Sequence, residues 1–225
     1  LCVMTTKAEE NYLKAIFKVV ERDRKSASTN AIASEIHTSA ASVTDMIKRL
    51  AEKKLVNYEK YRGVTLTDTG RTLATNLIRR HRLWETFLVE KLGFKWNEVH
   101  ELAEELEHID SGELVARLDM FLDHPRFDPH GDPIPSEEGK FTLRSQLPLS
   151  ALNSGESGEI VGVREHSDAF LKHLEELHII RGNRVTVEEV YDFDGSLKVT
   201  VDDQKRTISE KVAQNVYVKR SHNDG

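Results

Sequence analysis

The chain has 225 residues, of which 31% are charged and 38% hydrophobic, with a net charge of −6. That length suits one large domain or two to three small ones. No apolar run approaches the roughly 18 residues that a helix needs to span a bilayer, so the sequence predicts a soluble protein. The charge is uneven along the chain. Residues 1–75 carry 13 Lys+Arg against 9 Asp+Glu, residues 76–145 carry 9 against 15, and the remainder 10 against 14. A basic front is suited to an anion and an acidic middle to cations. Leu1-Cys2-Val3 has neither the charged start nor the apolar core of a signal peptide, and Met4 reads as the natural start. The one cysteine, Cys2, would then be foreign. A chain without native cysteine has no disulfide and no thiolate ligand, as expected of a cytoplasmic protein.

In chain order, Tyr12, Leu13, Ile16, Phe17 and Val20 form an apolar stripe that predicts a helix over Glu9–Glu21, with Thr6 and Glu9 spaced as a capping box. Ser28 or Thr29 caps a short helix over Asn30–Glu35. Ser39 is placed to cap a third helix, to about Lys53, that buries Val43, Met46, Ile47 and Leu50. Residues 55–59 and 64–67 read as strands of a hairpin. Three helices and a hairpin make a winged helix-turn-helix, spanning residues 4–75. The third helix begins with short polar side chains, Ser39, Ser42, Thr44 and Asp45, that permit close approach to a major groove. Lys48, Arg49, Lys53 and Lys54 can neutralise phosphates, and Lys60, Tyr61 and Arg62 at the hairpin tip can contact backbone or minor groove.

Asp68-Thr-Gly70 reads as a break before a long helix over about Arg71–Lys91. A helix from Asn97 to Ile109 and another from Ser111 to Leu122 complete a helical middle domain, residues 76–140. Its surplus of large apolar side chains (Trp84, Phe87, Leu88, Leu114, Leu118, Phe121) predicts a homodimer interface. The alternative is that the third domain covers them. Four of the five prolines fall in 124–135, expected as a stiff connection, and Ser136–Ser145 reads as a polar linker. From Gln146 the pattern turns β: strands at 158–164, 184–191, 197–201, 206–208 and 216–218, with one helix over 169–177, predict a small SH3-like barrel over 141–221. The fold class is therefore mainly α with a β-rich C-terminal domain.

The most informative stretch is His100-Glu-Leu-Ala-Glu104-Glu-Leu-Glu107-His108. On a helix, His100, Glu104, Glu107 and His108 share one face, with Leu102, Leu106 and Ile109 left to bury another. One helix earlier, His81 and Glu85 repeat the i, i+4 spacing. Nitrogen and oxygen donors converging on one stripe match a divalent-metal site, and ordinary surface charge is the competing explanation. Asp128 and His130 offer two further donors, and His166 precedes the barrel's helix. The C-terminal β domain contains no nucleophile elbow, phosphate loop or dinucleotide motif, and the expected protein is a regulator and not an enzyme. Two rivals remain: a metal-independent winged-helix regulator whose C-terminal domain senses another ligand or partner, and a metalloenzyme, which would need an open coordination position and a substrate cleft.

With these segments in hand, the sequence resembles the metal-dependent repressors of the diphtheria-toxin-repressor and manganese-transport-regulator (DtxR/MntR) family. The likeness is to the long form, with a C-terminal SH3-like, FeoA-type domain. It is carried by Glu10-Asn-Tyr-Leu-Lys-Ala-Ile16, Ser42-Val-Thr-Asp-Met-Ile-Lys-Arg-Leu50, Tyr61-Arg-Gly-Val-Thr-Leu-Thr-Asp-Thr-Gly70 and Arg80-His-Arg-Leu-Trp-Glu85. Val99-His100, Glu107-His108 and Pro129-His-Gly-Asp-Pro-Ile-Pro135 complete it. The resemblance implies one metal held by Asn11, Glu104, Glu107 and His108. It implies a neighbouring one held by His81, Glu85 and His100, with His166, and in some manganese regulators Asp128 and His130, joining in. Three positions differ within the family. Asn11 offers a carbonyl without charge, Lys14 stands where some manganese regulators place a second acid, and Glu104 stands where iron-type members carry Cys. An all-oxygen-and-imidazole set favours Mn(II), with Fe(II) close behind, and Zn(II) or Co(II) could substitute in vitro. The implied function is a metal-activated repressor that binds a palindromic DNA operator upstream of metal-uptake genes. It would act as a homodimer with recognition helices about 34 Å apart.

Overall fold

The computed structural model describes residues 4–59 and 62–221. Lys60 and Tyr61, at the hairpin tip, lie outside the described residues. The chain divides into two compact units. One comprises Leu1–His81, Glu105–Gly112 and Pro135–Phe141. The other comprises Arg82–Glu104, Glu113–Ile134 and Thr142–Gly225.

In the first unit, α1 (Lys7–Asp23) begins at the expected capping box: Glu9 N–H donates to the Thr6 hydroxyl and Thr6 N–H to the Glu9 carboxylate. Ser28 caps α2 (Thr29–Glu35) and Ser39 caps α3 (Ala40–Glu52). These helices bury Leu13, Ile16, Ile32, Val43, Ile47 and Leu50 in one core, which the hairpin β1 (Val56–Glu59)/β2 (Gly63–Leu66) closes through Val56 and Val64. Ala27 exchanges two backbone hydrogen bonds with Val64, tying the α1–α2 connection to the wing. The winged helix-turn-helix is thus formed. Asp68-Thr-Gly70 is not a break: it is the first turn of α4 (Asp68–Leu92), capped by the Thr67 hydroxyl, which accepts from Gly70 N–H at 3.1 Å. Gly70 is needed there because a Cβ would lie 1.9 Å from the Leu55 carbonyl oxygen. Nor is 136–145 wholly a free linker. Its first half packs in this unit, with Phe141 stacked on Phe17 at 5.7 Å and Gly139 against Thr75.

The second unit holds the rest of α4, most of α5 (Val99–Leu106) and of α6 (Gly112–Phe121), and a β-rich body. Leu83, Leu118, Leu122 and Ile134 form a small helical core with Trp84 and Phe87 against it. The body is a six-stranded antiparallel sheet with order β3-β8-β4-β5-β6-β7: β3 (Leu147–Pro148), β4 (Ser157–Val163), β5 (Arg184–Val190), β6 (Leu197–Val201), β7 (Gln204–Ile208) and β8 (Val216–Arg220). Register shifts in β4 and β5 curl the sheet, as closure of a small SH3-like barrel requires. Inward positions alternate along β5 and β6 (Val185, Val187; Leu197, Val199, Val201), and α7 (Asp168–Glu176) adds Leu171 and Leu174. Three short elements among the described residues lie outside the sequence pattern: β3, a 3-10 turn over Leu149–Ala151, and α8 (Glu210–Asn215), whose Ser209 cap accepts from Val212 N–H. Among the described residues no helix is long and apolar enough to cross a membrane.

Candidate metal centre and DNA-reading face

The helical stripe expected over residues 100–108 is split. Helix α5 ends at Leu106, and Glu107-His108 form a turn beyond it. The helix also buries a different face from the one expected. Val99 and Ala103 are fully buried, as is Glu107, while Leu102 and Ile109 are left outward. The spacing of the leucines misleads because a turn, not a further helical residue, carries Glu107 inward.

Within the first unit, two α1 residues one turn apart meet that turn. The Lys14 ammonium donates to Glu107 Oε1 at 2.6 Å, and His108 Nδ1 donates to Glu10 Oε2 at 2.6 Å. His81 Nδ1 takes the other Glu107 oxygen, also at 2.6 Å, and Arg80 Nε donates to the Glu107 main-chain oxygen. Burial pushes the Glu107 carboxyl up, but the His81 hydrogen bond and the Lys14 charge outweigh it and hold it below the usual carboxylate range. Asn11 is exposed on α1. In the sequence Lys14 stands out only as a departure from the family, and Glu10 and Arg80 do not stand out at all. The i, i+4 pairing of Glu10 with Lys14 is the signal that could have found them.

Within the second unit, Glu85, Asp128 and His130 are all buried and present ligand atoms that lie within 4.8 Å of one another. The segment expected as a stiff connection is thus a buried loop rich in donors, with Asp128 1% and His130 4% exposed. Asp128 shapes it: one carboxylate oxygen accepts from the N–H groups of His130 and Asp132, each at 2.9 Å, and the other faces Arg82 at 3.5 Å. The loop lies flat on β4. Val163 N–H donates to the His130 oxygen, and the Arg144 guanidinium bridges the Gly131 and Val161 oxygens. His130 Nε2 donates to the Trp96 main-chain oxygen at 2.8 Å, which leaves Nδ1 facing Glu85 at 3.6 Å. A carbonyl that takes one ring N–H fixes the tautomer and aims the other nitrogen, as around metal-bound imidazoles.

His100 Nδ1 approaches Glu85 at 3.3 Å and its Nε2 approaches Glu104 at 3.6 Å, both His100 and Glu104 being about half exposed. The His166 ring lies 5.2 Å from that of His130, and Asp132 stands between His166 and Arg82 at 4.0 and 3.1 Å. Arg82 and Asp132 carry no mark in the sequence, since nothing in their spacing relates them.

The electrostatics mark this cluster as short of positive charge. Burial, then Asp132 and Glu85, push the Asp128 carboxyl up to about 7. Burial disfavours a charged His130, but Glu85 and Asp128 outweigh it and raise the imidazole to about 9. A divalent cation relieves both, and the donor set, carboxylate oxygen with imidazole nitrogen and no sulfur, fits such an ion.

In the winged helix-turn-helix, α3 presents Ser39, Ser42, Asp45, Lys48 and Arg49 outward, with Thr44 half-buried and its hydroxyl bonded to the Ala40 oxygen. Ser39 is engaged as the cap, accepting from Ser42 N–H at 3.1 Å, and Lys48 and Asp45 are 3.5 Å apart on the exposed surface. Arg62 is exposed beside the wing, 3.1 Å from Glu59.

Comparison with known proteins identifies the family. Residues 4–64 match the iron-dependent repressor N-terminal DNA-binding domain, 67–136 the iron-dependent repressor metal-binding and dimerisation domain, and 147–220 the FeoA domain. The iron-dependent repressor IdeR of Mycobacterium leprae is 30% identical over 191 residues, covering 80% of this chain and 83% of that protein. A manganese-dependent transcriptional repressor solved with manganese superposes with a TM-score of 0.79 at 35% identity, covering 95% of this chain and all of that one. A probable metal transport system membrane protein of Chlamydia trachomatis is 44% identical over 91 residues, which are 40% of this chain and only 20% of that protein's length. The two repressors are transcriptional regulators and not enzymes. The chain belongs to the DtxR family of metal-dependent transcriptional repressors, in the form that carries a C-terminal FeoA domain.

Proposed function

We propose that this protein is a metal-activated repressor that responds to Mn(II) in preference to Fe(II) and binds a palindromic operator of metal-uptake genes as a cytoplasmic homodimer. The observation that carries the reading is the buried cluster of Glu85, Asp128 and His130, whose ligand atoms lie within 4.8 Å of one another. His100 and His166 would complete that set, and Asn11, His81, Glu107 and His108 would form the other. A bound divalent ion would supply the positive charge that these acidic and imidazole donors lack. Hard oxygen donors and imidazole favour Mn(II), with Fe(II) second, and Zn(II) or Co(II) would serve in vitro by raw affinity.

The chain's own residues do the rest. Lys48, Arg49 and Arg62 neutralise DNA phosphates, and the short side chains Ser39, Ser42, Thr44 and Asp45 let α3 approach base edges, with Lys60 adding charge at the wing. The exposed apolar side chains Leu114, Met120 and Phe121 on α6 suit a subunit contact. A nearly complete switch from inactive to active requires about 5.5 kcal/mol of differential binding, within reach of two ion sites per subunit.

The test is a DNA-binding titration of metal-stripped protein against a palindrome upstream of a metal-uptake gene, with chelator, with Mn(II), and with Fe(II) under anaerobic conditions. Binding only with metal is expected, at lower Mn(II) than Fe(II), and Glu107→Ala and Glu85→Gln should abolish the metal response. Equal binding in chelator refutes metal gating and moves the signal to the C-terminal domain.

A further inference from the structure

Regulation of the ion site at Glu107, which rests on the metal-gated reading above, follows from contacts within the first unit. Lys14 lies in the middle of α1 with its side chain 7% exposed, and its ammonium meets Glu107, itself fully buried, at 2.6 Å. Removing one partner of a buried charge pair leaves the other poorly compensated, so this contact is not incidental. Both Glu107 oxygens are already engaged, one by Lys14 and one by His81, and the adjacent His108 is engaged by Glu10. Glu10 and Lys14 are four residues apart on α1, and Glu107 and His108 are consecutive. Two α1 side chains thus hold two residues of the turn without any ion.

An ion that takes Glu107 must displace or share the Lys14 contact. Lysine suits that exchange: its charge is a single point on a flexible stem, and it can withdraw without breaking a paired guanidinium fork. We infer that Lys14 is a resident cation that competes with the metal for Glu107, and so sets the metal concentration at which the Glu107 site is occupied. Lys14 is then a tuning residue, acting through Glu107 and not as a ligand.

The experiment uses the full chain, stripped of metal, as wild type, Lys14→Met, Lys14→Arg and Glu107→Gln. Mn(II) binding is followed by calorimetry and by the paramagnetic signal of free Mn(II), and thermal unfolding is measured without metal. Glu107→Gln is expected to remove one binding event, which identifies it. In Lys14→Met the same event should shift to about tenfold lower Mn(II), a size common for coupling between two sites, while the metal-free melting temperature falls. Lys14→Arg should leave the event near its wild-type concentration or weaken it. If Lys14→Met binds Mn(II) at the wild-type concentration while Glu107→Gln still loses its event, Lys14 is only a structural tie and the inference fails, with the metal reading intact. If Glu107→Gln loses no event, the metal reading at this position fails and takes the inference with it. A measurement on wild-type protein guards against a misfolded variant. Amine labelling of Lys14, read by mass spectrometry, should be at least about threefold faster with saturating Mn(II), and labelling no faster with Mn(II) overturns the competition.

Discussion

Gly131→Ala tests whether the loop that carries Asp128 and His130 is clamped to β4. Gly131 has φ +91°, and a Cβ there would lie 2.2 Å from the Val161 oxygen and 2.5 Å from Gly162 Cα. The left-handed backbone alone costs an L residue about 1–2 kcal/mol. Relieving the overlap requires the loop to lift by about 1 Å to restore an ordinary contact. That movement strains two hydrogen bonds, from Val163 N–H to His130 and from Arg144 to Gly131, each contributing about 1 kcal/mol net. The expected total is about 3–4 kcal/mol, or a melting-temperature drop on the order of 10 °C for a protein of this size. Because the loop also aims His130, metal affinity should fall about 10- to 100-fold, as for other lost supports of ligand orientation. The control is Gly155→Ala, a position with φ +84° and open space around a Cβ, which isolates the backbone cost. Differential scanning calorimetry and Mn(II) titration of both variants decide the matter. If Gly131→Ala melts no lower than Gly155→Ala and binds Mn(II) as wild type does, the loop is not held against β4 and does not position the ligands.

Other consequences follow from the same structure. Lys48→Ala and Arg49→Ala should weaken operator and random DNA alike, and each should reduce the slope of log K against log salt by about one; an unchanged slope places α3 off the phosphates. Burial raises the Glu9 carboxyl, but Lys53 and the Thr6 donors outweigh it and hold it below the ordinary 4.5. Its stabilisation is therefore present above the unfolded-state value and lost as the pH falls through the lower folded-state one. Urea unfolding of Glu9→Gln should show a deficit against wild type at neutral pH that closes as the pH falls below the ordinary carboxylate range, and a deficit independent of pH refutes the pairing. Leu174→Ala, at a fully buried position of α7, should cost about 2–5 kcal/mol while leaving metal-saturated DNA binding in place; a loss below about 1 kcal/mol would mean the barrel core collapses around the void.

Much of the architecture is legible in the sequence because it is written locally. The Thr6–Glu9 box and the serines at 28 and 39 mark helix starts by side-chain chemistry that involves only three or four neighbouring residues, and the alternation in 184–190 and 197–201 marks inward faces of a sheet. Elements of two to six residues, β3 and α8, are too short for any period to be seen.

The donors Glu85, Asp128 and His130 are legible as a group through the family resemblance, whereas the stripe over residues 100–108 is not, and the reason is geometric. Periodicity assumes one continuous helix, so it puts His100, Glu104, Glu107 and His108 on one stripe. A single helix end at Leu106 is enough to separate the exposed pair from the buried one. The residues that balance the charges are further still from any local rule. Lys14 and Glu107 are 93 positions apart, and His108 and Glu10 are 98 apart. What forces such pairs together is the cost of burying a lone charge. Once the fold buries Glu107, it must also bury a cation beside it, and the first helix supplies one at the position where its apolar stripe faces inward between Leu13 and Ile16. A lysine inside an apolar stripe is thus the local trace of a distant buried acid, carried by the amino-acid order of α1 alone.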